Sequence, residues 1–169
     1  MSHRIIGSID QTASEATMKD THNSQERLNY LTKQLPQDIT RSVEETLKED
    51  LGGTLDPNAD ITASLIAEDK QSSAKIITRE KGVFCGQAWA DEVFKQLGGQ
   101  VTITWFVKDG DKVSPNQALC ELTGPSRALL TGERNAMNFI QTLSGCATTV
   151  AEYAKLIEGT DCKLLDTRK

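Results

Sequence analysis

The C-terminal segment 163–169 constrains the fold of this chain more than any other stretch. Its two apolar residues run directly into an acid, a hydroxyl and two cations, in the order Leu164, Leu165, Asp166, Thr167, Arg168 and Lys169. This order is typical of a short buried strand that delivers charge to the carboxyl edge of a parallel α/β sheet, where such folds bind ligands. The adjacent Arg and Lys therefore predict an anionic ligand. A barrel of this kind needs roughly 200 residues or more, so we expect this strand to begin a barrel that the chain does not complete.

The composition indicates a globular, cytoplasmic protein without a membrane segment. The 169 residues carry a net charge of −5, and no apolar run approaches the ~20 residues that a membrane span needs. The N-terminus lacks the apolar region and small-residue cleavage site of a secretory signal. The acidic balance argues against a general nucleic-acid surface, because phosphate binding requires a concentrated positive field. Four widely spaced cysteines without a C-x-x-C pair predict reduced, partly buried thiols and neither a zinc site nor a disulfide framework.

Hydrophobic periodicity divides the chain into three parts. Residues 1–26 form a polar leader without a sustained period, which we expect to be poorly ordered; it contains both histidines, so a His-based triad is not expected. Residues 27–130 are predicted to form an α+β sandwich, and residues 131–169 to hold connector helices and the first strand of an incomplete α/β barrel. The predicted elements are helices at 38–51 and 88–97 with glycine caps at Gly52 and Gly98, strands at 74–78, 101–107 and 118–122, and a helical connector over 125–158 with a break or kink at Ser144–Gly145.

The hairpin at 107–122 has the pattern V-x-x-G-D-x-V, which resembles the half-hammerheads of biotinyl and lipoyl carrier domains. A carrier needs an exposed lysine at a hairpin tip between two such halves. Lys112 lies inside a single half, and no symmetric partner is present in the sequence. The pattern therefore favours a hammerhead-like sandwich without a carrier function.

Two arginines stand out in the predicted connector. Arg127 and Arg134 are seven residues apart, about two helical turns, so both could lie on one face. A solvated helix charge is the favoured interpretation of Arg127, because surface arginines are common. Arg134 lies in an otherwise apolar stretch, so we expect it to have a specified partner, either Glu133 or a ligand.

Several motifs occur in a fixed order from about Leu35 to the end of the chain. They are E-D-L-G-G at 49–53, D-I-T at 60–62, G-V-F-C-G at 82–86, G-D at 110–111, L-T-G-E-R-N-A-M-N-F at 130–139, L-S-G at 143–145 and L-D-T-R-K at 165–169. Together they resemble the quinolinate phosphoribosyltransferase family. The series G-E-R-N-A-M-N-F, L-S-G and D-T-R-K is highly specific, whereas the helix and strand patterns alone are weak signals.

The resemblance implies an enzyme of NAD biosynthesis. Members of the family transfer the phosphoribosyl group of phosphoribosyl pyrophosphate to quinolinate, with Mg²⁺, and release pyrophosphate and CO₂. By matching motif, Thr167 and Arg168 would contact quinolinate, Lys169 would bind the quinolinate or phosphoribosyl anions, and Arg134 would reach the site of a neighbouring subunit in a homodimer or higher oligomer. The resemblance assigns no role to Arg127 and no metal ligand to this chain. The family's remaining site residues match no part of the sequence up to Lys169, so we expect the chain alone to be inactive.

Two other readings stay open at the level of sequence. A related type II pyridine phosphoribosyltransferase with a different base would share much of the pattern, but a dicarboxylate substrate needs more cations than a monocarboxylate. A non-catalytic interaction module that retains only the sandwich and the connector is the alternative from another class. Binding of quinolinate would separate a working site from an incomplete one.

Overall fold

The computed structural model describes residues 24–165, and their contacts define two compact units with the boundary between Asp38 and Ile39. In the first unit the described residues form the N-terminal half of helix α1 (Ser24–Asp50). The predicted start of this helix at Asp38 is wrong, and residues 24–26 of the predicted leader are helical. The apolar residues of the first half are Leu28, Leu31 and Leu35, which have helical spacing, and Tyr30; all four are exposed. The helical pattern therefore begins before Asp38.

The second unit contains helices and a small antiparallel sheet, which confirms the α+β class. After α1 come a 3₁₀ turn (Pro57–Ala59), the short helix α2 (Ile61–Ser64), strands β1 (Gln71–Ile77) and β2 (Gly82–Val83), helix α3 (Gln87–Gln96), strands β3 (Thr102–Trp105), β4 (Lys112–Val113) and β5 (Ala118–Pro125), and helix α4 (Ser126–Leu156). The hammerhead-like arrangement and the barrel stay predictions. The domain boundary at residue 130 also stays a prediction, and helix α4 runs across that position.

The sheet has the order β1-β5-β3, with both pairs antiparallel. Strand β5 lies at the centre and pairs with β1 from Gln71 opposite Pro125 to Ile77 opposite Ala118, with a shift of register between Ile76 and Ile77. A separate two-stranded ribbon joins β2 to β4 and places Lys112 opposite Val83. Lys112 therefore lies within a ribbon strand and not at a hairpin tip.

The core forms where α3, α4 and the buried half of α1 pack together with β5. Its fully buried side chains include Val43, Leu47, Phe84, Val93 and Cys120. The predicted stripe on α1 is confirmed by the burial of Ile39, Val43, Leu47 and Leu51. Both predicted glycine caps are also confirmed, since Gly52 and Gly98 have positive φ angles of 71° and 104° just beyond their helices.

Helix α4 runs without interruption through Ser144 and Gly145, so a break there is wrong, and the alternative of a kink stays a prediction. The hydroxyl of Ser144 is not free to compete for its own helix, because it accepts a hydrogen bond from the Cys85 amide at 2.9 Å and donates one to the Cys85 carbonyl at 3.0 Å. Gly145 costs a helix only about 1 kcal/mol relative to alanine, which tertiary packing can offset. Pro125 precedes the first turn of the helix as its N-cap residue.

Among the described residues, no helix is both long enough and apolar enough to cross a membrane.

Candidate functional site

Arg134 lies on the outer face of α4, one residue before the buried Asn135. Its side chain is 77% exposed, and its Nη1 atom lies 4.0 Å from Oδ1 of Asp50, the last residue of α1. The expectation of a partner is confirmed by Asp50, and the described residues show no ion pair between Arg134 and Glu133. The alternative that Arg134 also binds a ligand stays a prediction, and the surroundings of Arg134 are not buried. Leu129 and Ala136, near it in sequence, are buried, whereas Leu130, one turn before Arg134, is 40% exposed. The guanidinium is therefore not enclosed by apolar side chains.

Two carboxylates are fixed to α4 on either side of Arg134. Asp50 Oδ2 accepts a hydrogen bond from Asn135 Nδ2 at 2.9 Å, and Asp60 Oδ2 accepts one from the Thr131 hydroxyl at 2.8 Å. The second oxygen of Asp60 accepts the Ala63 amide at 2.9 Å and so caps α2. Arg134 is thus the cation of a polar cluster that joins α4 to the end of α1 and the start of α2.

The charge state of Asp60 is stabilised within this cluster. The hydrogen bond from the Ala63 amide is the main cause that lowers the pKa of Asp60 below its ordinary value; partial burial opposes it, and the Thr131 hydroxyl and the positive charge of Arg134 assist it. Asp60 is therefore a carboxylate at neutral pH.

Asn135 is the most deeply buried member of the cluster, and sequence reasoning missed it. It is 1% exposed, and its Oδ1 atom has no hydrogen-bond partner among the described residues, while its amide nitrogen binds Asp50. A signal was present, because a polar amide between apolar positions of a helix has to be hydrogen-bonded when buried. The sequence could not tell which distant residue would receive the bond.

Arg127 is a structural residue and not a solvated helix charge. Its Nε donates to the carbonyl of Ile66 at 2.8 Å, and an Nη atom lies 3.4 Å from the carbonyl of Ser64. These carbonyls end the short helix α2, where a cation compensates for unpaired acceptors. Arg127 therefore holds the segment after Asp60 against α4 and does not share a site with Arg134.

The G-V-F-C-G motif at 82–86 attaches the ribbon to α4. The Val83 amide donates to the Thr148 hydroxyl at 2.8 Å, one turn beyond the double hydrogen bond between Cys85 and Ser144. Gly86 closes the motif with a φ angle of 118°, and a Cβ atom there would lie 3.1 Å from the Cα of Ile140. The motif thus has a packing role that explains its two glycines without a ligand.

Two open grooves of about 500 and 480 Å³ lie between β1 and α4 and share Met137 in their lining. The first extends toward Gly82 and Thr148, and the second toward Ser72 and Glu133. Arg134 lines neither groove. An anion bound by Arg134 therefore needs a second surface to enclose it.

The three C-terminal site residues predicted from sequence, Thr167, Arg168 and Lys169, lie outside the described residues. The structure therefore does not test whether they meet Arg134. Residues 162–165, which precede them, form no strand in the described part of the chain, and Leu164 and Leu165 are 48% and 75% exposed. The predicted strand is not formed by its described residues, because no neighbouring strand pairs with it.

The four cysteines are free, as predicted, but only two of them are shielded from solvent. Cys120 is buried and Cys85 is half-buried, whereas Cys146 and Cys162 are exposed. Burial raises the pKa of Cys120 to about 11, so this thiol is protonated and unreactive at neutral pH.

The described residues do not suit a resident metal ion. Within 24–165 there is no group of three or more His, Cys, Asp or Glu side chains arranged to hold one. Both oxygens of Asp60 accept hydrogen bonds from the protein, and Asp50 is engaged with Asn135. The residues of the cluster therefore do not fit a Mg²⁺ site.

The fold and the cluster define a small α+β domain that presents an arginine on a long helix. A family model described as "Quinolinate phosphoribosyl transferase, N-terminal domain" matches residues 60–144, a range that includes Asp60, Arg134 and Asn135. This chain belongs to that family.

Relatives of known name agree with the family match. The chain is 36% identical over 121 residues to the probable carboxylating nicotinate-nucleotide pyrophosphorylase of Bacillus subtilis, an alignment that covers 72% of this chain and 40% of the relative. It is 35% identical over 97 residues to the human carboxylating nicotinate-nucleotide pyrophosphorylase, covering 57% of this chain and 32% of the relative. The solved nicotinate-nucleotide pyrophosphorylase of Francisella tularensis superposes with a TM-score of 0.70 at 46% identity, covering 79% of this chain and 46% of that structure. The chain thus spans less than half the length of each relative.

Proposed function

We propose that this chain is the N-terminal part of a carboxylating nicotinate-nucleotide pyrophosphorylase. The complete enzyme would transfer the phosphoribosyl group of phosphoribosyl pyrophosphate to the ring nitrogen of quinolinate and release pyrophosphate and CO₂, as a step of NAD biosynthesis. The family match and the names of the relatives support this activity. We place the enzyme in the cytoplasm.

The observation that carries the proposal is the position of Arg134. The residue lies in the matched G-E-R-N motif, its guanidinium is 77% exposed, and it lines neither of the two grooves between β1 and α4. A planar guanidinium can bind a carboxylate or phosphate through two parallel hydrogen bonds. Arg134 therefore suits an anionic substrate that another surface encloses.

We assign that second surface to the barrel of a neighbouring subunit in a homodimer. In an isologous dimer each site would combine Arg134 of one protomer with Thr167, Arg168 and Lys169 of its partner. The domain described here would then complete a site that it does not itself contain.

The chemistry suits such a cationic site. Charge develops on the leaving pyrophosphate as the anomeric carbon becomes oxocarbenium-like, so fixed cations stabilise the transition state more than the ground state. After transfer, the positive charge of the pyridinium nitrogen stabilises the carbanion left on the adjacent ring carbon when its carboxylate departs as CO₂, and a proton from water then completes the product. This step therefore needs orientation of the ring more than an acid. Mg²⁺ would enter with phosphoribosyl pyrophosphate, since the cluster around Arg134 offers it no site.

Pyrophosphate release tests the proposal. The complete polypeptide should release pyrophosphate when quinolinate is supplied and much less when nicotinate replaces it, whereas the chain Met1–Lys169 alone should be inactive. Arg134→Ala in the complete enzyme should lower kcat/KM by about thirtyfold or more, because it removes a charge-assisted hydrogen-bonding interaction with the anion of about 2 kcal/mol. Lys155→Ala, which removes an exposed cation from the same helix, should leave kcat/KM near the wild-type value. Absence of quinolinate-dependent release from the complete polypeptide would refute the proposed activity.

A further inference from the structure

The two residues that flank Arg134 on the inner side of α4 each bind a carboxylate from another segment. Thr131 lies one turn before Arg134 and binds Asp60, and Asn135 follows Arg134 directly and binds Asp50. The two bonds measure 2.8 and 2.9 Å. The base of the arginine side chain therefore lies between two negative groups that are both tied to its own helix.

Asp50 is the member of this pair in contact with the guanidinium. Its Oδ2 atom is engaged by Asn135 Nδ2, which leaves Oδ1 directed toward Nη1 of Arg134 at 4.0 Å. Asn135 is 1% exposed, so water does not compete freely for this hydrogen bond. Rotation of the Asp50 carboxylate would break the bond, and Asp50 Oδ1 thus has a fixed place relative to α4.

We infer that Asp50, held by Asn135, is a positioning residue that fixes the direction in which the Arg134 side chain projects from the surface of the domain. The inference rests on the proposed function, in which Arg134 binds an anion at a site enclosed by another surface. An exposed arginine loses much rotamer freedom when it binds, and a side chain already restricted to the right direction loses less. The ion pair itself adds little to stability at this exposure. Asp50 contributes to stability through its hydrogen bond with the buried Asn135, and we assign its effect on Arg134 to orientation.

The proposal and simple electrostatics predict opposite changes in anion affinity when the charge of Asp50 is removed. If only charge mattered, removal of the negative Asp50 from the vicinity of Arg134 would strengthen the binding of an anion. If Asp50 orients Arg134, removal of its charge should weaken that binding. Asp50→Asn separates the two cases, because the amide oxygen can still accept the hydrogen bond from Asn135 while the charge is lost.

Side-chain NMR of the chain tests the orientation without any substrate. The Nε–H group of Arg134 should show a high heteronuclear NOE in the wild-type chain and a clearly lower one in Asp50→Asn. Glu49→Gln, which removes the same charge from the neighbouring exposed position, is the matched control and should leave the NOE unchanged. The backbone amide spectrum reports whether each variant is folded. If Asp50→Asn does not fold, Asp50→Ser takes its place in the measurement. An unchanged NOE in the folded variant would overturn the inference.

Kinetics of the complete enzyme supply the second measurement. Asp50→Asn should raise the KM for quinolinate by about two- to fivefold, the range expected for one exposed ion pair, and Glu49→Gln should not. A KM that falls or stays unchanged in Asp50→Asn would contradict the inference even if Arg134 is essential. Normal activity of Arg134→Ala would instead refute the proposed function, whereas the NOE measurement would still decide whether Asp50 orders Arg134.

Discussion

Replacement of Gly86 by alanine should destabilise the domain through a close contact that no side-chain rearrangement can relieve. Gly86 precedes helix α3 with a φ angle of 118°, a conformation that L side chains rarely adopt. A Cβ atom at this position would lie 3.1 Å from the Cα and 3.4 Å from the amide nitrogen of Ile140. Both of these atoms belong to the backbone of α4, so relief of the contact requires α3 and α4 to separate.

The expected cost has two parts. An alanine in a sparsely populated backbone conformation costs about 1–3 kcal/mol, and overpacking of a well-packed core costs about 1–3 kcal/mol more. Gly86→Ala should therefore lose about 2–6 kcal/mol, a large fraction of the 5–15 kcal/mol that typically stabilises a domain. Gly98→Ala is the matched control at the other end of α3, because its φ angle is 104° and a Cβ atom there would meet nothing within 4 Å. Gly98→Ala should therefore lose only the free energy that comes from the unfavourable backbone conformation.

Urea denaturation followed by tryptophan fluorescence measures the difference. Trp105 is a suitable reporter, because its ring centroid lies 5.5 Å from that of Phe84 in the G-V-F-C-G motif. We expect the midpoint of Gly86→Ala to lie well below that of Gly98→Ala. Equal midpoints for the two variants would refute the argument that α4 packs against Gly86.

Three further outcomes follow from the contacts. Because the pKa of Asp60 is lowered in the folded state, the Asp60 carboxylate stabilises the fold above the ordinary aspartate pKa of 3.8, and this stabilisation is lost as the pH falls below that value. In an acid titration of the free energy of unfolding, Asp60→Asn should lack that part of the pH dependence. The same pH dependence in the variant and the wild-type chain would contradict the assignment. A thiol reagent at pH 8 should modify Cys146 and Cys162 promptly and Cys120 only after unfolding; rapid modification of Cys120 in the folded chain would contradict its burial. Thr148→Val should lower the free energy of unfolding by about 1–2 kcal/mol, because the Val83 amide loses its acceptor, and no change in the urea midpoint would mean that water replaces it.

The sequence predicted the fold well where a local pattern decides the structure. The stripe from Ile39 to Leu51 and the glycine at 98 define helix surfaces and ends by periodicity and backbone conformation alone. The pattern was misleading where a distant partner decides. The Ser144–Gly145 pair suggested a break or kink in the helix, yet the Ser144 hydroxyl accepts a hydrogen bond from the backbone of Cys85, 59 residues away in the chain.

The same distinction holds for the candidate site. Two sequence signals identified Arg134. It lies in the family motif G-E-R-N, and it is a cation in an otherwise apolar stretch. Its actual partner Asp50 and the bond between Asp50 and Asn135, which joins residues 85 apart, depend on how α1 packs on α4. Arg127 has the same residue type, and only the contact with the carbonyl of Ile66 shows its structural role.

Subunit exchange tests most directly the central claim that Arg134 completes the site of a neighbouring subunit. Arg134→Ala and Arg168→Ala homodimers of the complete enzyme should each be nearly inactive. Mixed in equal amounts under conditions that exchange subunits, they should recover up to about a quarter of wild-type activity, because half of the dimers are mixed and each carries one intact site of two. Activity that stays at the level of the parents, with exchange demonstrated by mass spectrometry, would contradict the shared site and restrict any role of Arg134 to its own subunit.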